Sequence, residues 1–322
     1  MDHNNSHKHT RSKKKKSSFM KKVGYSIGII FLVLLAAGGL FVWKIYSDVT
    51  STTDGIYQDV DKEEARQKPV EIGSKEPFSV LLLGVDTGDL GRTEQGRSDT
   101  MMVVTVNPNT EQTSILSIPR DTYTEIVGRG TMDKINHAYA FGGVSMSINS
   151  VQNLLDIPID YYVEVNMQGV KDIVDTLGGV QVTPPLSFAY GGYTFTEGQS
   201  VTLDGDTALA YSRMRYDDPN GDYGRQGRQR QIIVAAMRKV ASLSTITNYQ
   251  GILGALENNM QTNLTFDNMV SIFNDYRGAA SNVNQIQLEG AGTKIDGIYY
   301  AIVDEADLSE TSTLLKEQLE IK

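Results

Sequence analysis

The 322-residue chain contains no cysteine. That excludes disulfide bridges, thiolate metal sites and a cysteine nucleophile. Histidine is nearly as scarce: His3, His7 and His9 sit at the start, and His137 stands alone in the remainder. A zinc site would therefore lack its preferred nitrogen and sulfur ligands. No GxxxxGK[ST] run is present, so nucleotide binding of the P-loop kind has no support. Gly84-Val85-Asp86-Thr87-Gly88 superficially suggests an aspartic-protease motif, but it lacks that motif's order and a second copy. There are no internal repeats, and the lysine run Lys13 to Lys16 is the only low-complexity stretch.

The net charge of −9 hides a division. Residues 1–22 carry eight Lys or Arg against one acid, Asp2, while the rest carries 22 basic and 38 acidic residues. Between them residues 23–43 hold no charge. About 20 apolar residues span a bilayer as a helix. Ala36-Ala37-Gly38-Gly39 could imitate a cleavage site, but the apolar run continues through Phe41-Val42-Trp43. An uncleaved anchor is therefore preferred to a signal peptide. The basic flank then stays in the cytoplasm, and residues 44–322 lie outside. The acidic remainder argues against nucleic acid, which needs a basic footprint. The basic segment is read as a topology signal with affinity for anionic membrane lipid.

Residues 44–76 are polar with mixed charge and read as a stalk ahead of a domain at 77–322. About 240 residues suffice for one hydrophobic core. Residues 78–85 are almost continuously apolar, like a strand buried on both faces. Residues 100–106 and 113–118 are β-rich and separated by Asn107-Pro108-Asn109-Thr110, which predicts a hairpin. Helices are expected at 145–155, 167–177, 204–211, 226–241, 249–259, 266–276 and 308–319, the last capped by Asp307 or Ser309. Further strands are expected at 161–165, 180–182, 284–288 and 297–303, with a hairpin-like stretch at 193–202. This alternation predicts a three-layer α/β/α domain around a mixed central sheet.

The densest chemistry is Arg213, Arg215, Arg225, Arg228 and Arg230, all within 18 residues. Crowded guanidinium groups are unfavourable unless an anion sits among them, and the planar fork of arginine matches phosphate oxygens two at a time. The plainer reading is a solvated charge run. Arg213 and Arg215 are two apart, so an extended segment would present both to one side. Arg225 and Arg228 fall at the start of the helix expected at 226–241, where positive charge opposes the macrodipole. Asp86 follows the first strand and Asp99 precedes the second; if these strands pair antiparallel, both carboxylates share one sheet end. Such a pair suits Mg²⁺, although loop aspartates commonly just cap turns. Arg97 lies two residues before Asp99. Arg120 ends the third strand beside Asp121, and an ordinary ion pair between them is the simple alternative. Lys134 is either a phosphate contact or an exposed lysine, and His137 is read as structural.

In order along the chain stand Leu82-Leu83-Gly84-Val85-Asp86, Arg97-Ser98-Asp99-Thr100-Met101-Met102, Ser117-Ile118-Pro119-Arg120-Asp121 and Lys134-Ile135-Asn136-His137-Ala138-Tyr139. Leu177-Gly178-Gly179-Val180, Ala208-Leu209-Ala210-Tyr211-Ser212-Arg213-Met214-Arg215 and Asp222-Tyr223-Gly224-Arg225-Gln226-Gly227-Arg228-Gln229 follow. Together these resemble the LytR-CpsA-Psr family of bacterial cell-envelope proteins, most strongly over residues 77–242. The resemblance implies a phosphotransferase outside the membrane. It would move a glycopolymer, such as wall teichoic acid or capsule, from a polyprenyl-pyrophosphate carrier to the C6 hydroxyl of N-acetylmuramic acid in peptidoglycan. It implies that Asp86 and Asp99 hold Mg²⁺, with Mn²⁺ as a substitute. Arg97, Arg120, Lys134, Arg213, Arg215, Arg225 and Gln229 would surround the pyrophosphate, with Asp222 orienting the cluster. On the same resemblance Arg97, Arg120 and Asp222 would carry the catalytic roles, and an apolar tunnel would enclose the lipid. A pyrophosphate hydrolase and a non-catalytic, membrane-anchored lipid-binding regulator are the competing readings.

Overall fold

The computed structural model describes residues 55–86, 96–242, 257 and 259–321. The chain divides into Met1–Val49 and Thr50–Lys322. The first unit, with the basic segment and membrane span expected there, lies outside the described residues, as do residues 87–95 and most of the helix expected at 249–259. No helix among the described residues is long and apolar enough to cross a membrane.

β1 (Phe78–Val85) is buried except at Leu82 and Gly84, as its unbroken apolar run requires. β2 (Ser98–Asn107) and β3 (Gln112–Ile118) form the expected hairpin. The Asn107 side chain accepts hydrogen bonds from the Asn109 and Thr110 amides at 2.8 and 3.1 Å, the local bond that makes asparagine a turn residue. β4 (Tyr123–Ile126) and β5 (Thr131–Lys134) make a small ribbon. α1 (His137–Leu155) begins well before residue 145 and is kinked at Gly142 and Gly143. β6 (Tyr161–Asn166) runs parallel to β1. α2 (Met167–Thr176) follows, its first turn capped by the Asn166 side chain, which accepts from Gly169 N at 2.7 Å.

The next strands are short: β7 (Val180–Val182), β8 (Phe188–Tyr190), β9 (Tyr193–Phe195) and β10 (Val201–Leu203). The hairpin expected at 193–202 is not formed. β9 pairs back with β8, and β10 crosses to β7. α3 (Gly205–Arg213) and α4 (Gly221–Ser242) carry the arginine run. β11 (Met260–Thr262), α5 (Phe266–Asp275), β12 (Val283–Gln287), β13 (Ala291–Ile295) and β14 (Ile298–Ile302) lead to α6 (Glu305–Gln318). The cap of α6 is Asp304, which accepts from Ala306 N at 2.8 Å, not Asp307 or Ser309.

The central sheet has the order β11-β6-β1-β2-β3-β12 and is mixed. Strand alternation sends Leu81, Leu83, Met101, Val103 and Leu116 to one face, against Ile148, Val151 and Leu155 of α1 and Leu315 of α6. Val80, Met102, Val104 and Ile115 face the other way, against Val234 of α4, Leu264 and Tyr276. Each such side chain contributes about 1.5–3 kcal/mol when fully buried, so this three-layer packing is what fixes the strand ends where the site lies. Residues 55–76, read as a stalk, are packed onto the same unit. Ile56 and Ile72 are buried, and Arg66 donates to both oxygens of Asp160 at 2.7 and 3.0 Å.

Candidate functional site

The antiparallel pairing of β1 and β2 brings Asp86 and Asp99 to one end of the sheet. Gly84 lies opposite Thr100 and Val85 opposite Ser98, so Asp99 is the extra residue of a β-bulge. Bulges re-aim a side chain out of the ladder. Here the bulge turns Asp99 towards Arg120, whose Nη1 donates to Asp99 Oδ1 at 2.6 Å. Asp86 Oδ1 accepts from the Arg97 backbone amide at 3.0 Å, and the Arg97 side chain is exposed.

From Arg120 the network runs both ways. Arg120 Nε is 3.8 Å from Asp121, and Asp121 accepts from Lys134 Nζ at 2.7 Å. On the other side Arg225 Nη2 donates to the Asp99 carbonyl at 3.4 Å and stands 2.8 Å from Asp222 Oδ1. Asp222 is also 3.4 Å from Arg215 Nε, and its second oxygen accepts from Gln226 Nε2 at 3.0 Å. Four cationic side chains (Lys134, Arg120, Arg225 and Arg215) thus share three carboxylates (Asp121, Asp99 and Asp222). Burial pushes the Arg225 pKa down, an effect that Asp222 opposes and Arg120 reinforces. Burial also works against the charge on Arg120, but the bonded Asp99 carboxylate, with Asp222 and Asp121 nearby, holds its pKa above the usual value. The donors Arg120 Nε and Arg225 Nε, and the acceptor Gln229 Oε1, are buried and have no hydrogen-bond partner among the described residues. Buried polar atoms are normally satisfied, and a cluster of exceptions calls for a missing partner. Excess cationic charge with unused donors is the chemistry of a phosphate-type anion site.

Two expectations about the arginine run change. α4 starts at Gly221, five residues before 226. Asp222 therefore occupies the first turn, where a carboxylate complements the macrodipole. Arg225 and Arg228 lie beyond it, and the expected conflict of charge at the helix start disappears. Arg213 and Arg215 do not share an extended segment. Arg213 is the last residue of α3, exposed, and the chain leaves the helix at buried Met214, so the two arginines diverge.

Arg228 also has a different place. It is fully buried, donating to the Tyr211 carbonyl at 3.0 Å, to the Met214 carbonyl and to Asp218. Gly224 makes room for this pair: a Cβ there would fall 2.0 Å from Asp218 Oδ2. Arg230 donates to Ser117 Oγ and Gln287 Oε1, both at 2.6 Å. Sequence reasoning missed Asp121 as a bridge, Tyr223, and Gln226 with its partner Gln287. The signal for Gln226 was present: Asp222, Arg225, Gln226 and Gln229 recur at three- and four-residue spacing, one helix face.

His137 Nδ1 lies 2.8 Å from Asp133 Oδ2 at the mouth of α1. For a cation, Asp86 and Asp99 offer oxygen ligands, and among the described residues no group of three His, Cys, Asp or Glu could hold a metal. A two-carboxylate set fits Mg²⁺, which keeps water and substrate phosphate oxygens in its shell, and does not fit zinc.

A half-buried guanidinium cluster with carboxylates thus stands at one end of the mixed sheet of an α/β protein. The chain belongs to the LytR_cpsA_psr family, whose model matches residues 42–317. It is 51% identical over 295 residues, 92% of this chain and 96% of the relative, to the polyisoprenyl-teichoic acid–peptidoglycan teichoic acid transferase TagU of Enterococcus faecalis. It superposes on the crystal structure of Bacillus subtilis TagU with a TM-score of 0.62 at 50% identity, covering 77% of this chain and 99% of that one. The structure of TagT bound to LIIa-WTA matches with a TM-score of 0.68 at 34% identity, over 81% and 97% of the two chains.

Proposed function

We propose that this protein transfers a teichoic-acid-type glycopolymer from a polyprenyl-pyrophosphate carrier to peptidoglycan. The carrying observation is the continuous network Lys134–Asp121–Arg120–Asp99–Arg225–Asp222–Arg215, with buried donors unused, in a chain that aligns with teichoic acid transferases over nearly its full length. A sugar hydroxyl of peptidoglycan attacks the phosphorus that carries the glycopolymer. The new P–O bond forms as the bond to polyprenyl phosphate breaks, and the hydroxyl proton is released. Such reactions depend mainly on positioning and charge neutralisation.

Arg215 and Arg225, oriented by Asp222, grip the transferred phosphoryl group. Arg120, held by Asp99, and Lys134, held by Asp121, neutralise the adjacent phosphate. Gln229 completes the surround, and Arg97 and Arg213, whose side chains are exposed, would reach the substrate from outside this network. Asp86 and Asp99 would hold Mg²⁺, which when bound neutralises charge on the leaving polyprenyl phosphate. We place the lipid on the face of the sheet towards α4 and α5, where Leu82, Val163, Ile233 and Met237 remain only partly buried. The uncharged run 23–43 after a basic flank supports a single-pass anchor with the site outside the membrane.

The test is incubation of the full chain with polyprenyl-pyrophosphate-linked saccharide, Mg²⁺ and peptidoglycan fragments, read by mass spectrometry. The expected product is saccharide joined to the fragment by a phosphodiester, with polyprenyl phosphate released. Free phosphorylated saccharide with unmodified peptidoglycan would instead identify a hydrolase, and no turnover at all would identify a binding protein.

A further inference from the structure

The β13–β14 hairpin stands beside the anion cluster and has no part in it so far. Its two-residue turn, Asp296-Gly297, has φ of 50° and 79°. Positive φ at both central positions is the type I′ turn, whose twist matches that of the flanking strands. The hairpin is therefore a stiff element. Its second strand leaves Tyr299 46% exposed. The ring is seated on the neighbouring strand, because a Cβ on Gly292 would come within 2.9 Å of Tyr299 Cε2 and 3.0 Å of its Oη. The absence of a side chain at Gly292 lets the aromatic ring lie against the backbone.

The base of this hairpin is fixed to α4. Tyr223 Oη donates to the Gly290 carbonyl at 3.1 Å and accepts from the Gly290 amide at 2.9 Å. Tyr223 is the neighbour of Asp222, which pairs with Arg215 and Arg225. On the same strand Ala301, two residues from Tyr299 and so on its face, donates its amide to the carbonyl of Asp121, a member of the cluster, at 2.9 Å. The hairpin that carries this half-exposed ring is thus pinned beside the cluster by the Tyr223–Gly290 hydrogen bonds and by the Ala301–Asp121 backbone bond.

The chemistry that belongs there follows from the clamped phosphate. Both partners of the transfer reaction place a sugar ring within a bond or two of the reacting phosphorus, the donor by its ester linkage and the acceptor by its attacking hydroxyl. One face of a pyranose ring is made of C–H groups, and an aromatic ring buries that face while its hydroxyl stays in water. We propose that Tyr299, seated over Gly292, is a stacking platform for a pyranose ring of the saccharide substrates; the assignment rests on the transferase reading above.

The experiment compares the full chain with Tyr299→Leu, which keeps apolar bulk without a flat face, and with Tyr299→Trp. Gly292→Ala, which lifts the ring, serves as a second route to the same loss. Direct binding is measured for polyprenyl pyrophosphate without sugar, for the same lipid carrying a disaccharide, and for a peptidoglycan fragment. The expected result is a loss of roughly tenfold or less for one saccharide ligand in Tyr299→Leu and Gly292→Ala. Tyr299→Trp should stay near wild type, and the sugarless lipid should bind all variants equally. Loss on the disaccharide lipid assigns the platform to the donor ring, and loss on the fragment assigns it to the acceptor ring. Unchanged binding of both, or an equal loss for the sugarless lipid, would overturn the proposal. Because these are binding measurements, they decide the platform even if wild type shows no transfer.

Discussion

Arg225 and Arg228 lie three residues apart on one helix, and the protein uses them in opposite ways. Arg228 has no exposed surface, and its guanidinium is bonded by Asp218 and two backbone carbonyls. Arg225 shares Asp222 with Arg215, reaches the Asp99 carbonyl at 3.4 Å, and leaves Nε unbonded. Arg228 ties the end of α3 to α4 and has nothing left to offer a ligand. Arg225 is held in place but incompletely satisfied, which suits the anion-binding role proposed for it. Crowding of arginines in a sequence does not distinguish the two uses; the supply of acceptors around each one does.

The sharpest way to break this contrast is Arg228→Ala. Removing one partner of a buried pair leaves Asp218 uncompensated and costs about 3–5 kcal/mol, a large share of a domain's net stability. Urea unfolding should show the midpoint fall steeply, and an unchanged midpoint would show that Arg228 is no structural tie. Next come Asp86→Asn and Asp99→Asn, each expected to abolish transfer and its response to Mg²⁺ while the fold persists. Full wild-type activity in excess chelator would remove the metal from the proposal. Arg215→Ala and Arg225→Ala should keep the unfolding midpoint and lose about ten- to a hundredfold in transfer, the scale of a charged hydrogen bond. Lysine at either position should fail as well, since a point charge cannot form the fork.

The smallest effect concerns a carboxylate with no guanidinium. Burial raises the pKa of Glu164 on β6, a shift that a hydrogen bond with Tyr139 only partly opposes. A raised folded pKa means that the ionised form is penalised at neutral pH and that the penalty is relieved as pH falls through the folded value. Glu164→Gln should therefore raise the melting temperature modestly at pH 7, with a gain that shrinks towards pH 4.5. A gain independent of pH would point to packing instead.

The strands were legible because burial on both faces leaves a continuous apolar run at 78–85 and because Asn107 announces its turn. The shared sheet end of Asp86 and Asp99 was legible only on the condition that their strands pair antiparallel, and the bulge that aims Asp99 leaves no mark in residue types. What stayed hidden depends on long-range partners. The burial of Arg228 is set by Asp218 and by carbonyls of α3, and nothing in the run sets it apart from Arg225. The start of α4 was missed because Gly221, Tyr223 and Gly224 give no apolar period. The pairing of β7 with β10 sets Val182 beside Val201, across the β8–β9 hairpin, and obeys no local rule.

The strand order also carries a consequence for timing. The four inner strands of the sheet come from residues 78–166, while both edges are laid down later, by β11 and by β12, which sets Val283 beside Thr113. A nascent chain that has emerged only as far as residue 166 can complete the middle of the sheet but neither border, and it presents two open edges to its surroundings. A chain ended at residue 281 would keep the β3 border open permanently. Such a truncated chain should aggregate at concentrations where the full chain stays dispersed, which light scattering during refolding would show.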